Sequence, residues 1–494
     1  MILLKLLLVL IQLSNMRIMF RNSIKSSLSI CFFLLLNSSN IYIPNSIAKT
    51  KEESEKKIFI FENINFENIS NLIIKNNLEL KSLKELVNAA SFNLSSKISK
   101  RYPSLDLSAN GLPQYLYGKN YNSSINDTKT SQLKFNPSLN LRWDLIDPQR
   151  GLEINTARNN YEIAINNYEI KKKDLIREAK SRYHEFQKSN ANKKNSQIAV
   201  SLSNISLKDA QSKLKVGIGT KFDVLEANAQ LARDKQLLEE NKISSRISEV
   251  SLKEILNLNL EKEIRLNNNQ KLIGFWHHSS KENIYSGIKN SYSLKNKNLQ
   301  RLIKNNESKS FQNANLPVIY ISNSLSTSFT KGSALTNNID SEESASNYLN
   351  TISLNFTWSI FNGGANQNSY KSKQAEIQSE NYSYLNLKNS LIKNINETYL
   401  NLIKYQKKLV STQEEINASK ESLRLSRLRY EVGISTLKDV LIRQKELTNA
   451  RSKKINSIYS YNINLDRLER LTFLQKSNKC QDNKKNKINS ICNY

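Results

Sequence analysis

Two carboxylates stand in the same short context at two places in the chain. Asp223 lies within KVGIGTKFDVL, residues 215–225, and Asp439 holds the same position within EVGISTLKDVL, residues 431–441. Seven of the eleven positions agree, among them Val216 with Val432, Gly217 with Gly433, and Thr220 with Thr436. An acid three residues past a threonine is placed to partner the dipole at a helix start. Nothing else in the sequence offers reaction chemistry. The three histidines are His184, His277 and His278. No acidic or cysteine partner is expected at ligand spacing from the His277–His278 pair, so no metal site follows. There is no Ser/His/Asp order, phosphate loop or pair of catalytic carboxylates. The expectation is a protein that is no enzyme and carries no cofactor.

The elements that must position these acids can be read from pattern. The chain has 494 residues, a net charge of +29, only 11 glycines and 6 prolines, and 38% hydrophobic residues. Its lysines and arginines are spread evenly, without the basic arm of a nucleic-acid binder, so no nucleic-acid partner is expected. At the N-terminus Arg17, Arg21 and Lys25 precede the apolar run Leu28–Leu36, followed by Ser46-Ile47-Ala48. That order predicts a secretory signal over residues 1–48, with translation starting at Met1, Met16 or Met19. No other segment is apolar enough for a membrane helix, so a membrane form would have to be a β-barrel.

The glycine motifs end a longer duplication. At the same offset Tyr168 matches Tyr384, Leu175-Ile176 matches Leu391-Ile392, and Tyr183 matches Tyr399; Trp143 matches Trp358 at an offset of 215. Each unit reads as helix, strand, loop, strand, long helix, glycine turn, helix. In QLKFNPSLNLRWDLI the residues Leu133, Phe135, Leu139, Leu141, Trp143 and Leu145 alternate with polar ones, and TISLNFTWSIF repeats the pattern. Period-two alternation predicts strands with one apolar face. Polar loops are expected over about 111–131 and 331–349. Residues 152–216 and 365–432 contain neither glycine nor proline, and Ile154, Tyr161, Tyr168 and Leu175 fall seven apart, the spacing of a coiled coil. Gly217 and Gly433 then reverse the chain, and Thr220 and Thr436 are placed to cap the returning helices.

With the paired VG tips, the DVL that follows each threonine, and the WSIFNGG junction from Trp358 to Gly364, the chain resembles the outer-membrane efflux protein family, the TolC-like channel-tunnels. The resemblance implies a mixed α/β membrane protein built from two tandem repeats. Four strands per subunit would close a trimeric 12-stranded β-barrel, continued by a long α-helical coiled-coil barrel across the periplasm. It implies a passive homotrimeric conduit of a tripartite efflux or type I secretion system. The partners implied are a periplasmic membrane-fusion adaptor, an inner-membrane pump or ABC transporter, and outer-membrane lipid. By the same resemblance Val216, Gly217, Thr220, Val432, Gly433 and Thr436 form the adaptor-docking tips, and Asp439, Asp223 and Ile442 the pore constriction. Trp143 and Trp358 become interface aromatics, and Gly363 and Gly364 the strand-to-helix junction. Ser435 stands where the family has an arginine that locks the closed tip.

The expected boundaries are a linker over 49–70 and repeat 1 over 71–273, with strands at about 103–111 and 131–146, helix 152–216, tip 217–220 and return helix 221–260. Repeat 2 covers 274–475, with strands at about 317–330 and 350–361, helix 365–432, tip 433–436 and return helix 437–474. A lysine-rich tail covers 476–494, where Cys480 and Cys492 are expected to pair in an oxidising envelope. Two rival readings, a periplasmic adaptor and a structural exported coiled coil, leave the alternating strands without a role.

Overall fold

The computed structural model describes residues 62–121, 128–261, 264–266, 272–336 and 343–477. The signal segment and the Cys480–Cys492 pairing lie outside the described residues. The elements are β1 (Glu62–Ile64), α1 (Ile69–Asn76), α2 (Leu78–Ser99), β2 (Ser104–Asn120), β3 (Thr128–Ile146), α3 (Arg150–Lys215) and α4 (Lys221–Leu256). There follow β4 (Ile264–Leu266), α5 (Ser280–Asn290), α6 (Tyr292–Asn313), β5 (Val318–Thr336), β6 (Glu343–Thr357), α7 (Ala365–Glu431) and α8 (Leu437–Thr472). No described helix is long and apolar enough to cross a membrane.

Strands β2, β3, β5 and β6 form one antiparallel sheet in that order, which leaves β2 and β6 as edges within the chain. The register lines the alternating residues up across it. Leu107 faces Leu139 and Leu139 faces Leu325; Trp143 faces Ile321 and Ile321 faces Leu354. The opposite face is a ladder of small polar side chains: Ser108 bonds Ser138 at 2.8 Å, Ser324 donates to Asn140 at 2.8 Å, and Ser322 bonds Ser353 at 2.8 Å. One face is therefore apolar and the other hydrated, as the alternation requires. The strands are longer than the alternation alone marks. β2 continues to Asn120 and β5 to Thr336, so most of the loops expected at 111–131 and 331–349 is strand. The reason lies in sequences such as SLSTSFTKGSALT, whose Ser and Thr pair well in a ladder but give no hydrophobic period. At the other end β6 stops at Thr357, short of the expected 361.

α3 and α7 contain 66 and 67 residues and each spans about 100 Å. Near the sheet α2 and α6 pack on α3, and α6 also packs on α7; toward the glycine turns α4 and α8 take those places. The shorter helices thus stack end to end beside two continuous ones. The α3 seam shared between α4 and α8 is small rather than greasy. Ser189, Ser196, Ser203 and Ala210 are buried at seven-residue steps, with Ala199 and Ser206 between them. Small side chains let helices approach closely, and polar bonds cross the seam: Gln444 donates to Ser203 at 2.8 Å, and Asn195 donates to the Thr448 carbonyl at 3.0 Å.

Apolar cores gather midway along the long helices, one per repeat. Ala179, Phe186 and Leu252 are buried in the first; Ile395, Leu402 and Leu468, each 216 residues later, are buried in the second. The two repeats are joined where buried His184 donates to Asp466 at 3.2 Å. Burial pushes the Asp466 carboxyl up, but that hydrogen bond and the charges of Lys476 and Lys180 outweigh it and hold the carboxyl below the usual range. Each repeat also closes with a short backbone pairing that pattern reading misses. β1 pairs with β4 in parallel, and Phe275 exchanges hydrogen bonds with Ser477 at 2.9 and 3.0 Å. The helix expected before each strand pair is broken in two. Asn77 caps Leu80 at 3.1 Å and Ser291 caps Leu294 at 3.3 Å, breaks made without glycine or proline.

Candidate functional site

The two glycine turns lie at one end of the helical body. Gly217 and Gly433 adopt φ of 77° and 81°, the left-handed region in which glycine carries no Cβ penalty. The helices end in matching motifs. Ile218 N donates to the Lys213 carbonyl at 3.0 Å, and Ile434 N to the Arg429 carbonyl at 2.8 Å, satisfying carbonyls that the last turn would leave open.

The returning helices start with reciprocal capping boxes. Asp223 N donates to Thr220 Oγ1 at 3.1 Å, while Thr220 N and Oγ1 both donate to Asp223 Oδ2, at 3.3 and 2.7 Å. Thr436 and Asp439 repeat this at 3.3, 3.2 and 2.9 Å. Each aspartate therefore spends one carboxylate oxygen on its own helix N-terminus. The Thr436 hydroxyl and its backbone amide, with Arg429 and Arg443 nearby, hold the exposed Asp439 carboxyl below the usual carboxylate range. Ile442, one turn farther along α8, is 44% exposed.

The tips are apolar at the surface and joined beneath it. Val216, Ile218, Val432 and Ile434 are 69–75% exposed, so nothing among the described residues covers them. Under them Ala210, Ala227, Leu437 and Leu441 form a buried cluster drawn from both repeats. Lys213 donates to the Tyr430 carbonyl at 2.5 Å and lies 3.8 Å from the Tyr430 ring centre, tying the end of α3 to the end of α7. The sequence motifs predict two tips; they contain no signal that Lys213 and Tyr430 lock them together.

At the other end of the long helices the two tryptophans do matching work. Trp143 Nε1 donates to the Arg101 carbonyl at 3.1 Å and Trp358 Nε1 to the Asn315 carbonyl at 2.7 Å. Each clamps the last turn of strand to the loop that enters its sheet partner. Below them the repeats diverge. In repeat 1 Asp147 accepts from Gln149 N at 2.9 Å, whereas in repeat 2 Gly363 and Gly364 turn with φ of 67° and 83°. Arg150 adds a brace absent from the motif reading, donating to the Asp144 carbonyl at 2.6 Å.

The histidine pair is not wholly without an acid. His278 lies 3.8 Å from Glu282, four residues along the chain, so the pair does have one acid at helical spacing. No group of three metal-binding side chains occurs among the described residues.

The model of a family described as outer membrane efflux protein matches residues 69–258 and 289–472, one segment in each repeat. Outer membrane protein TolC of Salmonella enteritidis is 26% identical over 160 residues; the match spans 31% of this chain and 31% of that protein. Among solved structures, the CmeC outer membrane channel of Campylobacter jejuni superposes with a TM-score of 0.70 at 16% identity, covering 84% of this chain and 87% of that one. VceC, an outer membrane protein of Vibrio cholerae, gives 0.69 at 15% identity, covering 82% and 96%. At such identities these structures establish the shared fold.

Proposed function

The chain belongs to the outer membrane efflux protein family, and from that premise we propose that three copies assemble into a passive conduit from the periplasm to the exterior. The observation that carries this reading is the sheet. Its outer edges β2 and β6 have no further strand partner among the described residues, and on its apolar face Leu105, Leu107, Ile352 and Leu354 are exposed. Four such strands gain little stability alone, but three copies closing edge to edge remove both liabilities at once. The closed 12-stranded barrel would turn its apolar face to lipid and its Ser/Asn ladder to water. The strands, 15–19 residues each, exceed the roughly 9–11 needed to cross a bilayer, so the barrel would project beyond the membrane. Trp143 and Trp358 would mark its periplasmic boundary.

The helices would continue the barrel into a tunnel that ends at the glycine tips. Their exposed Val216, Ile218, Val432 and Ile434 suit a membrane-fusion adaptor, itself coupled to an inner-membrane pump or ABC transporter that supplies the cargo. Asp439, with Asp223 and Ile442, would line the narrowest part. The conduit serves efflux or type I secretion; an adaptor or a purely structural coiled coil would leave the sheet idle. The test is the reversal potential of single channels in planar bilayers under a salt gradient. Cation preference is expected for the wild-type protein and its loss for Asp439→Asn, since a local ring outweighs charge screened beyond about 8–10 Å. Unchanged selectivity would remove Asp439 from the constriction.

A further inference from the structure

Phe473 ends helix α8 in the left-handed conformation, with φ of 61°. Its counterpart 216 residues earlier is Asn257, which ends α4 with φ of 51°. Asparagine tolerates that region, and an aromatic residue there is an outlier. Repeat 1 therefore makes the same turn without strain, and repeat 2 accepts strain to hold a phenyl ring at this point. The ring meets Tyr292 edge-on at 6.0 Å. Lys173 Nζ lies 4.5 Å from its centre and the Arg470 guanidinium 5.7 Å; Lys173 is also 5.5 Å from the Tyr292 ring. Aromatic faces hold cations in place without neutralising them, which a carboxylate in that position would do.

Beside the ring is a cavity of about 320 Å³, walled by Lys173, Arg177, Lys180 and Arg470 together with Asp466 and Glu469. The two acids are already engaged. Asp466 accepts from His184 and pairs with Lys476 at 3.3 Å, and Glu469 pairs with Lys476 at 3.7 Å. Arg470 pairs with Asp174 at 2.8 Å. Lys173 and Arg177 make no ion pair among the described residues, though they stand four apart on one face of α3. Burial, reinforced by the charge of Arg470, holds the Lys173 ammonium below its usual range and outweighs the opposing pull of the Glu169 carboxylate.

We propose that this cavity binds a small, multiply charged anion bearing phosphate or carboxylate groups, clamped between α3 of repeat 1 and the end of α8 in repeat 2. The site is about 65 Å along α3 from the glycine tip, so it goes beyond the conduit reading and does not depend on it. Binding is read on purified protein, so a failure of transport leaves the test intact. The full chain in detergent is titrated calorimetrically with inorganic pyrophosphate and, separately, with citrate, at constant ionic strength. Saturable binding of at least one is expected; pyrophosphate alone assigns a phosphate ligand, citrate alone a carboxylate ligand. Phe473→Asn, which copies Asn257, and Arg177→Gln, which breaks no ion pair or hydrogen bond among the described residues, should each weaken binding about tenfold or more, the scale of a lost charge-assisted bond. Lys215→Gln, at the distant tip, should leave it unchanged. The proposal is overturned if neither anion binds better than chloride, or if Arg177→Gln binds as the wild type does.

Discussion

Replacing Gly433 separates the structural from the functional demand on a tip. A Cβ built at position 433 would meet nothing within 4 Å, so alanine introduces no clash. The cost is confined to the backbone, where φ of 81° disfavours an L side chain by about 1–2 kcal/mol. Spread over a chain of 494 residues, that should lower the melting temperature by no more than about 4 °C, since larger proteins shift less per kcal/mol. Gly433→Trp carries the same backbone cost but sets a large ring among Val432, Ile434 and whatever docks on them. Both variants should reach the outer membrane and assemble as the wild type does. Export of cargo from cells should survive in Gly433→Ala and be lost in Gly433→Trp. Assembly is measured by native electrophoresis of membrane extracts, and unfolding by circular dichroism. If Gly433→Trp assembles and still exports fully, the tips are not the docking surface. If Gly433→Ala loses its assembly, the turn tolerates no side chain and assembly itself depends on the tip.

Two further outcomes follow from particular contacts. Lys253 is fully buried against Glu249 at 2.6 Å, so Glu249→Leu, which copies Leu465 of the second repeat, should strand its charge and cost about 3–5 kcal/mol in chemical denaturation. Adding Lys253→Leu should recover most of that loss; no recovery would mean the pair itself is not the source. At the tip, Thr436→Ala should destabilise the start of α8 by about 1 kcal/mol at neutral pH. The Asp439 carboxyl that Thr436 holds down titrates lower in the folded than in the unfolded chain, so the carboxylate half of the capping box contributes above about pH 4 and fades as pH falls below it, while the Asp439 N–H bond to Thr436 Oγ1 does not titrate. The gap between the stability curves of wild type and variant should therefore narrow in acid without closing; a constant gap from pH 7 to pH 2 would refute the capping role of the carboxylate.

The parts legible in the sequence were those with a strong period or a forced conformation. Trp143 and its alternating neighbours marked their strand, and the absence of glycine from α7 marked a continuous helix. Gly217 and Gly433 marked the reversals because few other residues tolerate such φ. The α3 seam was silent because Ser189, Ser196 and Ser203 are buried for their size, and a hydropathy pattern cannot register them. The outer half of β5 is silent for a related reason, its Ser and Thr pairing across the ladder without an apolar face, and that of β2 because Gly111, Pro113 and Gly118 read as turn residues. Asp223 and Asp439 read as helix-start acids from their own context, and as pore acids only through the family resemblance. The capping boxes fill the first role in each chain and leave one oxygen of each for the second. Phe473 gave no signal at all, since only the backbone angle at that position, set against Asn257, makes it unusual.

The most direct test of the central claim is the mass of the protein extracted from the outer-membrane fraction in mild detergent, read by native mass spectrometry. A sheet with two unpaired edges and an exposed apolar face predicts a complex of three chains and no stable monomer. A folded single chain recovered from the soluble periplasmic fraction would contradict the barrel, and the conduit with it.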